Sequence, residues 1–129
     1  MIDHVSIAVR DLKKAEAFYV ALLAPLGMTK LREWPDAAVG YGKKYPDFWI
    51  NRRAAMSRVA DDSGVHVCLR ASDSAAVDAF HAAALKAGGT SDGAPGLRTK
   101  YHLSYYAAFI RDPDGNRIEA VTFLRDAAA

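Results

Sequence analysis

Three residues carry donor atoms that suit a metal ion and stand where a fold can bring them together: His4, His66 and Glu119. Two imidazoles and one carboxylate make a three-ligand set that leaves coordination positions open for a substrate. A lone strand histidine is ordinarily structural, so convergence of the three is what points to chemistry. Residues 2–9 alternate, with Val5, Ile7 and Val9 on one face and His4, Ser6 and Ala8 on the other. Residues 65–70 repeat this, with Val65, Val67 and Leu69 opposite His66, Cys68 and Arg70. A period of two with one apolar face describes a half-buried strand. Its apolar face must pack inward, which sends both histidines to the opposite, open face.

These two strands open two copies of one half. His4-Val-Ser-Ile-Ala-Val-Arg-Asp11 aligns with His66-Val-Cys-Leu-Arg-Ala-Ser-Asp73 at an offset of 62 residues. The same offset matches Ala17 to Ala79, Phe18 to Phe80, Ala21 to Ala83, Leu23 to Leu85 and Gly27 to Gly89 without a gap. Asp11 and Asp73 suit helix N-caps, where a carboxylate accepts free backbone N–H groups. Ala15, Phe18, Leu22 and Leu26 give the first helix its apolar stripe, and Val77, Phe80, Ala84 and Leu85 the second. Gly27 and Gly88-Gly89 suit left-handed C-terminal caps. Further strands are expected near 29–34, 38–42 and 47–51, then near 97–100, 104–111 and 116–124. Each half is thus β-α-β-β-β. The fold class is α+β: two tandem βαβββ modules, about 1–52 and 64–126, joined by a linker over 53–63. Their strands are expected to form a curved mixed sheet around a central cleft, with the helices outside. A pseudo-twofold relation between the halves would place His4 and His66 together in that cleft.

Asp112-Pro-Asp-Gly115 reads as a type I turn followed by a glycine bulge. Phe109 then opposes Glu119, and Ile110 opposes Ile118. Opposed residues share a face, so Glu119, Phe109, Ala107 and Tyr105 line one side, and Ile118, Ala120, Ala108 and Ile110 line the helix-packing side. Without the bulge, Tyr106 replaces Tyr105. His102 and Tyr105 are the candidate proton-handling groups, beside Tyr101 in the loop before the seventh strand or at its start. Trp49, Phe48, Phe109, Tyr106 and Cys68 are the candidate pocket residues. His81, on the second helix, is expected at the surface. Nothing near Cys68 suggests a lowered thiol pKa, so it is not read as a nucleophile.

Bulk properties exclude several classes. The 129 residues are 51% hydrophobic and 25% charged, an ordinary globular composition for one domain. A net charge of +2 argues against a nucleic-acid surface. Arg52, Arg53 and Arg58 form the one local basic cluster and read as solvated linker. The single cysteine precludes an internal disulfide and fits a reducing compartment. No secretion signal is read at Met1-Ile-Asp-His, and no apolar run approaches the ~18 residues of a membrane span. A cytoplasmic location is expected. Disorder is expected only in the Asp126-Ala-Ala-Ala tail.

The chain resembles the vicinal oxygen chelate superfamily, which includes glyoxalase I, bleomycin-resistance proteins, fosfomycin-resistance transferases, methylmalonyl-CoA epimerase and extradiol dioxygenases. The residues that carry the likeness are Ile2-Asp-His-Val-Ser-Ile-Ala-Val, Val65-His-Val-Cys-Leu and Arg111-Asp-Pro-Asp-Gly-Asn-Arg-Ile-Glu-Ala-Val. The resemblance implies metal ligands at His4, His66 and Glu119. It implies a divalent ion (Mn, Fe, Ni, Zn or Co), a small oxygen-rich substrate and a homodimer. At the fourth ligand position, where glyoxalase I has a carboxylate, Asp47-Phe-Trp-Ile-Asn presents an apolar or aromatic residue. The His, His, Glu set is nearer to fosfomycin-resistance transferases and extradiol dioxygenases. The alternative is a metal-free drug-binding protein of the bleomycin-resistance type.

Overall fold

The computed structural model describes residues 1–125; the 126–129 tail lies outside the described residues. The first module runs β1 (Val5–Val9), α1 (Leu12–Leu23), a 3-10 turn (Ala24–Leu26), β2 (Thr29–Trp34), β3 (Ala38–Gly42) and β4 (Phe48–Arg52). The second runs β5 (His66–Arg70), α2 (Ser74–Lys86), β6 (Thr90–Leu97), β7 (Tyr105–Arg111) and β8 (Arg117–Phe123). The tandem βαβββ architecture is therefore as expected. The strands form two sheets rather than one, in the orders β1-β4-β3-β2 and β5-β8-β7-β6. In each, the first strand pairs in parallel with the last, and the other pairings are antiparallel. β1 and β5 are both edge strands, with no ladder between them.

Asp11 caps α1 by accepting from the Lys14 N–H at 3.2 Å, and Asp73 caps α2 by accepting from the Ala76 N–H at 2.8 Å. Both satisfy donors that have no partner within the helix. Gly27 closes the first helical segment at φ 76°, a left-handed conformation that favours glycine. One core holds the two helices and the inner sheet faces together. Phe18, Leu22, Leu26, Val77, Phe80 and Ala84 fill it from the helices, and Val9, Ile50, Ala108, Ile110, Ile118 and Ala120 from the strands.

Four expectations are corrected. The sixth strand lies at Thr90–Leu97, not 97–100: it is rich in Ser, Gly and Pro and pairs with β7 through two register shifts, so it lacks strand periodicity. Leu85 is 42% exposed and Val65 74%, because the α2 stripe turns toward His81 and β5 begins one residue after Val65. His81 is buried, with Nε2 2.8 Å from the Ser91 hydroxyl of β6.

The hairpin register matches the reading from the turn. Phe109 pairs with Glu119, Ile110 with Ile118 and Tyr105 with Phe123. The Gly115 N–H donates to the Asp112 carbonyl at 2.9 Å, and Gly115 has φ 90°. The linker packs against this turn. The Val59 N–H donates to the Asp114 carbonyl at 2.9 Å, and Arg58 Nη1 to the Pro113 carbonyl at 3.1 Å. Of the basic cluster, Arg58 therefore has a structural contact. Among the described residues no helix is long and apolar enough to cross a membrane.

Candidate functional site

The open face of the second sheet gathers His66 from β5, Tyr105 and Phe109 from β7, and Glu119 from β8. Register explains this: Cys68 pairs with Glu119 on one side, and Phe109 pairs with it on the other. Glu119 is 2% exposed, a carboxylate that must find polar partners. It has two. His66 Nε2 lies 3.0 Å from Oε1, and the Tyr105 hydroxyl donates to Oε2 at 2.5 Å. Tyr105 sits four residues from Phe109, and the residue between them on that face is Ala107. A methyl group there leaves the phenol room to lie along the strand. Phe109 flanks His66 with ring centroids 6.5 Å apart. Arg98, which the sequence did not single out, stacks 5.4 Å over Phe109 and donates to the Ala94 and Gly96 carbonyls. No periodicity in β6 could have signalled this.

Burial and the Glu119 hydrogen bond hold the Tyr105 phenol above its ordinary pKa, so it remains a proton donor to the carboxylate. Cys68 is exposed as a residue, but its thiol meets Tyr105 and Glu119. Desolvation and the Glu119 charge push the thiol up to about 12. It is a neutral thiol, in keeping with its reading as no nucleophile.

His4 does not join this cluster. It precedes β1, is half-exposed, and its Nδ1 lies 2.7 Å from Asp3 Oδ1. Tyr45 donates to the same carboxylate. Asn116 Nδ2 donates to the Ala8 carbonyl at 2.9 Å, which fixes the far end of β1 beside the start of β8, where Arg117 pairs with His66. His4 lies four residues back along β1, about 13 Å at strand rise. It lines instead a groove of about 650 Å³ with Met28, Lys43, Tyr45, Cys68 and Arg70. Among the described residues no three His, Cys, Asp or Glu side chains form a metal-holding group. The sequence leaves open whether the halves pair within one chain or between two; within one chain, among the described residues, His4, His66 and Glu119 do not form a metal-holding group.

The remaining candidates divide by strand face. Phe48 is fully buried in the core against Tyr19, with centroids 5.5 Å apart, so it walls no cleft. Tyr106 faces the helices and donates to Asp78 of α2 at 2.6 Å. Both point away from Glu119 because their neighbours Trp49 and Tyr105 occupy the open faces. Trp49 lies on the open face of the first sheet, its Nε1 donating to the Pro46 carbonyl at 2.8 Å. His102 is exposed. Its Nδ1 accepts from the Ser104 N–H at 3.1 Å, and its ring meets Phe123, which also packs on Tyr105.

The pair His66 and Glu119 fits two adjacent positions of a divalent ion. Donors about 2.1 Å from a metal and at right angles stand about 3 Å apart, which is the observed separation. Among the described residues no third protein donor joins the pair.

Residues 1–120 match the family model described as Glyoxalase/Bleomycin resistance protein/Dioxygenase superfamily. A glyoxalase/bleomycin resistance protein from Albidiferax ferrireducens T118 is 32% identical, with a TM-score of 0.76 over 92% of this chain and 95% of that one. A glyoxalase/bleomycin resistance protein/dioxygenase family enzyme from Burkholderia phytofirmans PsJN shares the fold at 20% identity, with a TM-score of 0.71 over 95% and 98%. Fosfomycin resistance protein FosX from Mesorhizobium loti does so at 16% identity, with a TM-score of 0.66 over 97% and 93%. The search of curated proteins returned no match.

Proposed function

Because the chain belongs to the Glyoxalase/Bleomycin resistance protein/Dioxygenase superfamily, we propose that it is a metal-dependent enzyme acting on a small oxygen-rich molecule, with a site shared between two copies of the chain. The observation that carries this reading is the 3.0 Å separation of His66 Nε2 and Glu119 Oε1 on an otherwise open sheet face. Glu119 is buried and fixed by Tyr105, while the His66 side chain is 47% exposed and reachable by ligand. The third donor in this reading is His4 of a second copy. It occupies the repeat-equivalent position, is exposed, and stands beside an edge strand free to meet another chain.

A divalent ion held there, when bound, supplies a Lewis acid with open positions for two adjacent substrate oxygens. The chain's own groups do the rest. The Tyr105 hydroxyl keeps one Glu119 oxygen occupied, so that the other faces His66. Phe109, beneath Arg98, forms an apolar wall next to the imidazole. The substrate is thereby positioned against a fixed carboxylate in a partly dry site.

Elemental analysis of natively purified protein, and of protein reloaded with manganese, iron, nickel and zinc, tests this. Near-stoichiometric metal is expected in the wild type, with loss in both His4→Ala and His66→Ala. Co-expressing those two variants is expected to restore one of the two sites in each mixed dimer, because each copy supplies the histidine that the other lacks. Metal retained in His4→Ala would overturn the shared site. No metal in the wild type would overturn the enzyme reading and favour metal-free binding, in which His66 and Glu119 simply bond each other.

A further inference from the structure

Among the described residues two serine hydroxyls meet an imidazole. Ser104 lies 2.8 Å from His102 Nδ1 but is 6% exposed, so a reagent in solution does not reach it. Ser91 lies 2.8 Å from His81 Nε2 and is exposed. This second pair stands on the other side of the sheet from Glu119. Ser91 pairs with Ile110 and Glu119 with Phe109, and neighbouring residues of a strand face opposite ways.

The elements explain the pairing. His81 falls on the buried stripe of α2 with Val77, Phe80 and Ala84, and Ser91 stands on β6, the edge strand of its sheet. The Gly93 N–H donates to Ser91 Oγ at 3.3 Å. That fills one acceptor position of the oxygen and leaves its hydrogen for Nε2. Burial lowers the His81 pKa, so near neutral pH the ring is uncharged and able to take a proton. Asp78 stands three residues earlier on α2, on the same helix face, and its charge favours the imidazolium that forms when the proton is taken. The Tyr106 hydroxyl fixes Asp78 in turn, at 2.6 Å. Nucleophile, base and a charge behind the base are the parts that activate a serine.

We propose that Ser91 is an acyl-accepting nucleophile with His81 as its general base, and that it takes an acyl group from a small activated ester. Ser91 Oγ bonds to the carbonyl carbon of the ester, and the hydroxyl proton passes to His81 Nε2. The bond from that carbon to the leaving oxygen breaks, and the oxygen keeps the electron pair. His81 then returns its proton to the leaving group or to water. The products are the Ser91 ester and the free alcohol or phenol, and the step needs neither metal nor oxidant.

Brief treatment of the folded protein with p-nitrophenyl acetate near neutral pH, followed by trypsin digestion and mass mapping, tests it. The tryptic peptide 87–98 contains no lysine, and Thr90 and Ser91 are its only hydroxyl side chains. Acetyl is expected on Ser91 and not on Thr90. His81→Gln is expected to slow this acetylation about 100-fold, the scale for losing a general base. Because His81 is buried, the exposed Asp78→Asn is the second variant, expected to slow it several-fold. Acetylation of surface lysines should be equal in all three proteins, and circular dichroism checks that the variants fold. Ser91 left unmodified in the wild type, or modified at one rate in the wild type and both variants, overturns the proposal and leaves the Ser91–His81 bond a purely structural one. So does equal acetylation of Ser91 in urea, where His81 no longer adjoins it.

Discussion

The Tyr19 hydroxyl donates a 2.6 Å hydrogen bond to Asp112 Oδ2 across 93 positions of sequence, joining the helix of the first module to the hairpin turn of the second. Asp112 is 2% exposed, and its other oxygen accepts from the Asp114 and Asn116 backbone N–H groups at 2.9 and 2.8 Å. Asn116 Nδ2 bonds both Asp112 and the Ala8 carbonyl, and Arg10 Nε bonds Asp114 at 2.6 Å. This network fixes how the modules meet. It is also what sets the His4 end of β1 apart from His66.

Tyr19→Phe is expected to destabilise the protein by about 1–3 kcal/mol near neutral pH, because it leaves a buried carboxylate oxygen short of a donor. Burial raises the Asp112 pKa, while the bonds from Tyr19 and Asn116 pull it down. The folded chain therefore holds this proton at pH values where the unfolded chain has released it. Its contribution to stability is greatest in acid and declines as pH rises through the folded pKa. Removing Tyr19 raises that pKa further, so the deficit of the variant should shrink as pH falls toward 4. Urea unfolding at both pH values checks this; a deficit equal at the two would refute the assignment.

The repeat, both caps, the hairpin register and the Glu119 face were legible because each rests on local chemistry: alternation, an N-cap carboxylate, a Pro-Gly turn. Trp49, Phe109 and Tyr105 fall on open faces by the same alternation. The position of His4 relative to His66 was not legible. It depends on how two edge strands that share no ladder are brought together, and side chains that tie the modules, Tyr19, Asn116 and Asp112, are far apart in sequence. β6 escaped because its pairing tolerates Gly93, Pro95 and Gly96 through bulges, which erases the strand pattern. Phe48 was misplaced by one residue of register, and in a strand that reverses the face.

His81 predicts a pH effect of the opposite sign. Burial lowers its pKa, with Asp78 opposing, and its Nε2 meets Ser91. The unfolded chain takes up a proton near its ordinary value of about 6.5, and the folded chain resists it to lower pH. Stability from this residue is therefore full above that value and is lost as pH falls through the window below it. His81→Gln keeps a group able to bond Ser91 but cannot titrate. Its unfolding free energy, measured between pH 7 and 5, is expected to be flatter than the wild type's. Parallel profiles would show that the imidazole plays no part.

Tyr105→Phe isolates the support of Glu119. The phenyl ring retains the packing on Tyr101 and Phe123, whose centroids lie 5.2 and 5.4 Å away. Only the hydroxyl is lost, and with it the donor to a carboxylate oxygen that is nearly inaccessible to water. A cost of about 1–3 kcal/mol is expected from the unpaired oxygen. In metal-loaded protein, affinity should fall by about 10- to 100-fold, the scale for losing a group that orients a ligand. Glu119→Ala combined with Tyr105→Phe should cost less than the sum of the two single changes, because each removes one partner of the same bond. A double-mutant cycle by urea unfolding measures this coupling directly. Additive costs would mean that the hydroxyl and the carboxylate act separately, and that Glu119 keeps its orientation through His66 alone.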